Sequence, residues 1–127
     1  VALTREFFDG LKREVSEVAI LNANDKACIR TMSGRERDAY DASINDGKNQ
    51  NFDNMSARLV VRCLCDEQGE LLFPDPATGA ETIGEWPTSI VDPLFDACRD
   101  LNHMKRGAVE EAAKNSEPSP DDSSSTD

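Results

Sequence analysis

The sequence predicts an α+β fold: a small, mainly helical single domain with one or two β-hairpins and a disordered acidic C-terminal tail. Three observations support this. A β-branched run, then turn residues, then a second such run over residues 11–31 has the pattern of a hairpin. Apolar residues at three- and four-residue steps recur behind capping residues at 33–44, 53–63 and 88–104, as they do in amphipathic helices. The last ten residues, from Pro118 to Asp127, carry no large apolar side chain. They cannot offset the roughly 1–2 kcal/mol that ordering each residue's backbone costs. A chain of 127 residues has room for one domain, placed at 1–115, with the tail at 116–127.

The elements follow in order. Thr4 and its neighbouring acid open a short helix over 4–13, whose Phe7, Phe8 and Leu11 form an apolar stripe. Such a helix either docks on the body or is a detachable binding element. Val15, Val18 and Ile20 line a strand or a short helix, Asn22-Ala-Asn-Asp25 supplies turn chemistry, and residues 27–31 return, which favours a hairpin. Ser33-Gly-Arg-Glu36 has capping-box spacing and starts a helix over 34–44. Ala39, Tyr40 and Ile44 are its apolar residues; Arg35, Glu36, Arg37, Asp38 and Asp41 are its wet face. Residues 45–51 are polar and contain Gly47, so they read as the longest flexible loop of the body.

Asp53 or Asn54 caps the next helix, with Met55, Leu59 and Arg62/Cys63 on one stripe. The run Val60-Val-Arg-Cys-Leu-Cys65 becomes extended at its end. Asp66-Glu-Gln-Gly69 is a turn with glycine where positive φ is easiest, Leu71-Leu-Phe73 returns, and Pro74 and Pro76 end the segment. A short helix is expected over 82–86, closed by Pro87. The last firm helix, over 88–104, turns Ile90, Val91, Leu94, Phe95, Cys98 and Leu101 to one face. Pro93 belongs in its first turn, or starts a fresh helix capped by Asp92, because deeper in a helix it costs about 3 kcal/mol. A weaker helix over 108–114 precedes the tail.

The net charge of −11 divides unevenly. Residues 1–109 hold 19 acids and 13 bases, whereas residues 110–127 hold six acids and one base. Such a chain repels phosphate and anionic lipid, which argues against nucleic-acid and membrane-surface binding. An acidic mimic of nucleic acid needs a continuous acidic face, and the interspersed bases argue against that as well. No apolar run approaches the roughly 20 residues of a membrane span, and Arg5 and Glu6 stand where a secretory signal is uniformly apolar, so a cytoplasmic location is expected.

Little in the sequence suggests chemistry. Cys28, Cys63, Cys65 and Cys98 form no CxxC pair and read as reduced core residues. His103, the sole histidine, stands near the end of a helix, where it caps carbonyls more readily than it pairs with a nucleophile. Nucleotide-binding glycine motifs are absent, and Asp38, Asp41, Asp46 and Asp53 lack the spacing of a calcium loop. No catalytic, cofactor-binding or metal-binding residue is assigned, and no enzyme activity is expected. The candidate partner-binding residues are Phe7, Phe8 and Leu11, the basic Arg35 and Arg37, and Trp86. Arg35 and Arg37 either meet Arg58 and Arg62 to receive an acidic segment or pair with nearby acids. Trp86 is either a lid on the core or part of a partner site.

Five pieces in this order resemble the tail assembly chaperones of long-tailed bacteriophages, particularly the siphophage type. They are Met32-Ser-Gly-Arg-Glu-Arg-Asp-Ala-Tyr-Asp-Ala-Ser43, Asn54-Met-Ser-Ala-Arg-Leu-Val-Val-Arg62, Asp66-Glu-Gln-Gly-Glu-Leu-Leu-Phe73, Ile83-Gly-Glu and Leu94-Phe-Asp-Ala-Cys-Arg-Asp-Leu-Asn102. The resemblance spans roughly residues 15–115 and ends with Val109-Glu-Glu-Ala-Ala-Lys-Asn115. It implies a non-enzymatic role in the host cytoplasm: coating the tape measure protein while tail tube protein polymerises around it, and absence from the mature virion. It also implies that this is the short form of a pair, whose longer, frameshifted product recruits tail tube protein. The sequence leaves self-association open. The alternative reading is a structural head–tail connector or tail completion protein of the virion.

Overall fold

The computed structural model describes residues 1–20 and 22–104. The expected helix at 108–114 and the tail at 116–127 lie outside the described residues. The fold is α+β. In chain order it comprises α1 (Arg5–Asp9), β1 (Val15–Ile20), β2 (Asn22–Arg30), α2 (Gly34–Ile44), β3 (Asn45–Asp46), β4 (Asn49–Gln50), α3 (Met55–Cys63), β5 (Leu64–Cys65), α4 (Pro76–Gly84) and α5 (Thr88–Leu101). One antiparallel sheet has the order β1-β2-β5, and β3 and β4 form a separate small hairpin.

The first hairpin forms, but its turn differs from expectation. Asn22–Asp25 belong to β2, and the register breaks instead: Ala19 pairs with Lys26, yet Ile20 pairs with Asn22. The turn-forming residues are absorbed into β2 as an irregularity in its register with β1. Side chains of β1 alternate between exposed and half-buried, as a sheet with one covered face requires.

Helix α2 has the expected bounds and the capping box: the Ser33 hydroxyl accepts from Glu36 N, and Glu36 Oε1 accepts from Ser33 N at 2.8 Å. Tyr40 and Ile44 are buried, whereas Ala39 is exposed, a correction to its inward placement. Glu36 leaves the wet face to form ion pairs described below. Residues 45–51 are a hairpin rather than an open loop. Gly47 takes φ +62°, and Arg58 grips both ends by donating to Ser43 O and Asn51 O, each at 2.6 Å. Asn54 stands at the start of α3 but does not cap it. Its backbone is left-handed, and its amide donates to Ala80 O of α4 at 3.0 Å.

After β5 the expected turn forms. Asp66 Oδ1 accepts from Gln68 N and Glu70 N, and Gly69 takes φ +87°. The returning Leu71 makes one bridge, to Cys65, so the second hairpin is vestigial. Helix α4 starts six residues before the expected helix at 82. Asp75 accepts from Ala77 N, and Pro76, expected as a terminator, occupies the first turn, where its missing N–H costs nothing. Helix α5 runs continuously through Pro93 with neither a restart nor an Asp92 cap. Ser89 and Pro93 are both exposed, so the carbonyl that loses its partner lies on the solvent side. His103 caps α5 through its backbone rather than its imidazole: at φ +54° its N–H donates to Asp100 O, and Met104 N donates to Arg99 O.

The core surrounds α3, whose Ala57, Leu59, Val60, Val61 and Cys63 are all buried. Ile29, Tyr40, Ile44, Ile83, Val91, Leu94 and Cys98 pack around it from the other elements. Asn102 joins three of them. Its Oδ1 accepts from Met32 N at 2.7 Å, and its amide donates to Cys98 O at 2.8 Å and to Cys63 Sγ at 3.5 Å.

Helices α3 and α4 approach closely at Gly79, where an added Cβ would press on Val61 Cγ2 and stand 2.6 Å from Phe73 Cβ. Gly79→Ala is therefore expected to destabilise the fold by about 1–3 kcal/mol despite its better helix propensity, checked by urea denaturation. Unchanged or increased stability would show that the two helices do not pack this closely.

Candidate interaction surface

Helix α1 buries none of its residues. Thr4 Oγ1 caps it by accepting from Phe7 N, and Arg5 pairs with Asp9, but both are exposed contacts. Phe7 and Phe8 meet edge to face with ring centroids 5.4 Å apart, and with Leu11 they stay 47%, 56% and 61% exposed. Val1 and Leu3 extend the same apolar stretch. Of the two readings open for this segment, the structure presents the undocked one.

The arm is nevertheless anchored immediately after Leu11. Arg13 Nη1 reaches Glu36 Oε1 at 2.7 Å, Thr31 N donates to Glu14 O at 3.0 Å, and Glu14 N donates to Thr31 Oγ1 at 3.2 Å. Arg30 approaches the other Glu36 oxygen at 2.8 Å. Burial alone would raise the pKa of Glu36; the Ser33 N–H bond with Arg13 and Arg30 outweighs it and holds the carboxyl below its ordinary range.

The remaining candidates lie elsewhere. Arg35 is exposed on α2, and Arg37 pairs with Asp41 at 3.4 Å. Arg58 and Arg62 are not joined to them as one basic patch. Arg62 donates to Arg58 O and lies over the Tyr40 ring, 6.0 Å from its centroid. Both line a cleft of about 480 Å³ with Asp53, Asp75 and Glu81, without Arg35 or Arg37. Trp86 sits between α4 and α5, half-buried, its ring 5.9 Å from that of Phe73, and it borders a cleft with Phe52, Met55 and Val91. Core lid and surface contact are both compatible with that position. The six candidates thus occupy three places: the arm, the outer side of α2 and the α4–α5 junction.

The chemistry of the described residues is subdued. Cys28, Cys63, Cys65 and Cys98 are free thiols. Burial raises the pKa of Cys28 and Cys65, and the bond to Cys63 together with burial pushes Cys98 far above its usual value, so none of these three is a ready nucleophile. No group of three or more His, Cys, Asp or Glu side chains among the described residues is placed to hold a metal. No described helix is long and apolar enough to cross a membrane.

A further cleft, of about 520 Å³, has no counterpart in the sequence pattern. It runs along β1 and the end of α5, lined by Glu14, Ser16, Glu17, Val18, Ala19 and Ile29 and by Ala97, Asp100, Leu101 and His103. It combines residues about 80 positions apart, and its only local signal is the alternation along β1. No protein-family model matches the chain, and no curated protein or solved structure matches it either.

Glu36→Gln is expected to cost about 1–2 kcal/mol near neutral pH, since the carboxylate accepts charged and backbone bonds while partly screened by solvent. Its folded pKa lies below its unfolded one, so this stabilisation is complete above roughly pH 4–5 and fades as pH falls through the lowered value. The gap between the denaturation curves of the two proteins should narrow as pH is lowered through the acid range. A constant gap through that range would exclude the linkage.

Proposed function

We propose that this chain is a bacteriophage tail assembly chaperone, of the siphophage type and in its short form. It binds the tape measure protein in the host cytoplasm, keeps it soluble while tail tube protein polymerises around it, and is absent from the mature virion. The observation that carries the reading is the undocked arm: two aromatic rings on α1 and a leucine just beyond its end, held in solvent on a segment anchored to the body from Arg13 onward. Exposed apolar surface of this kind marks a partner site. The mixed charge of the body keeps such a surface soluble without making it sticky toward polyanions. The stretches that resemble the family contribute α2, α3, the turn after β5 and most of α5, leaving α1 outside the core they build.

Co-expression with the tape measure protein of the same phage is expected to recover a complex with several copies of this chain. Phe7→Ala, Phe8→Ala and Leu11→Ala together should weaken capture at least tenfold while shifting the thermal midpoint by less than about 2 °C, because none of the three is buried. Failure of the unaltered chain to bind, or its presence at stoichiometric copy number in purified virions, would overturn the proposal.

A further inference from the structure

Strand β1 is the outermost strand of its sheet. Antiparallel pairing with β2 turns alternate N–H and C=O groups of β1 inward and leaves the others facing out. Edges of this sort are usually blunted by lysine, proline or a covering segment. Val15-Ser-Glu-Val-Ala-Ile20 contains neither lysine nor proline. Four consecutive β1 residues, Ser16 to Ala19, line the cleft beside α5. Their side chains alternate between the two faces, with Ser16 and Val18 on the half-buried side and Glu17 and Ala19 on the exposed side.

We infer that this edge accepts an extended segment of a partner protein as an added strand, and that the segment carries both apolar and basic residues. On the face shared with α5 the segment meets Val18, Ala97 and Leu101 together with Glu14 and Asp100, and on the opposite face it meets Glu17. Among the described residues the cleft is lined by these three acids and by no lysine or arginine. Glu17 has an exposed pairing with Lys26 at 3.6 Å, weak enough to be exchanged. The same charges argue against a second copy as occupant, since its β1 would bring another Glu14 and Glu17 to the acidic edge. Main-chain bonds provide the attachment and the alternating side chains the selection. This surface is distinct from α1, and its test uses no tape measure protein, so its outcome is independent of the proposed function.

The probe is a blocked octapeptide of alternating Lys and Val, titrated against the full chain and followed by calorimetry and amide exchange. Binding should protect amides within residues 16–19, weaken with salt, and exceed that of the Glu/Val octapeptide at least tenfold. N-methylation of alternate residues along one edge of the peptide should abolish binding, while methylation along the other edge leaves it intact. Glu14→Lys with Asp100→Lys should reverse the peptide preference; the peptide comparisons decide the matter if that variant misfolds. Equal binding of the acidic peptide, binding that survives both N-methylation patterns, or no binding at all would overturn the inference. So would a dimer with the β1 amides already protected.

Discussion

Almost everything in this molecule follows from the lack of solvent available to α3. Nine residues cannot hold a helix alone in water, so α3 exists because the rest of the chain wraps it. Each neighbour covers a different side. Helices α4 and α5 pack on it, α2 supplies Tyr40 and Ile44, and β5 continues directly from its last turn into the sheet. Polar groups on so enclosed a helix must find partners nearby. Arg58 turns its two terminal nitrogens to the carbonyls of Ser43 and Asn51 and so clamps the chain beside α3, and Arg62 turns back to Arg58 O within the helix.

The connections outward from this centre are few and polar. Asn102 ties the end of α5 to α3 and to the approach to α2, and Glu36 ties the start of α2 to both the sheet and the N-terminal arm. Beyond Glu36 the character of the structure changes, because no apolar residue of α1 contributes to the core. A tightly packed body and an arm whose helix buries none of its residues meet at the Glu36 carboxylate and the Glu14–Thr31 bonds. The exposed apolar residues of the arm can therefore change without changing the fold.

Where local chemistry decides the structure, the sequence is transparent. The Ser33–Glu36 box places α2, the Asp66–Gly69 turn forms as its residues demand, and the apolar face of α5 is legible from spacing alone. Residues with two uses are opaque. Pro76 stops a chain or starts a helix, and only the cap at Asp75 decides. Asn54 has cap chemistry, but its amide is taken by α4, while Arg58 turns an apparently loose loop into a held hairpin from 15 residues away. The apolar stripe at Phe7, Phe8 and Leu11 is visible in sequence, although its exposure is not. The cleft along β1 is invisible there because strand and helix meet only through the tertiary fold.

The register break near Ala19 acts as a ruler for the sheet. Regular pairing with β2 lasts five rungs, from Val15 to Ala19, before the register shifts. At about 3.4 Å per residue the straight part of the edge is roughly 17 Å long, and a bulge beside it adds twist that carries the strand out of plane. An edge of that length can hold one short segment. The break shortens the flat stretch on which sheet could stack against sheet, one of the devices by which edge strands are kept from templating fibres.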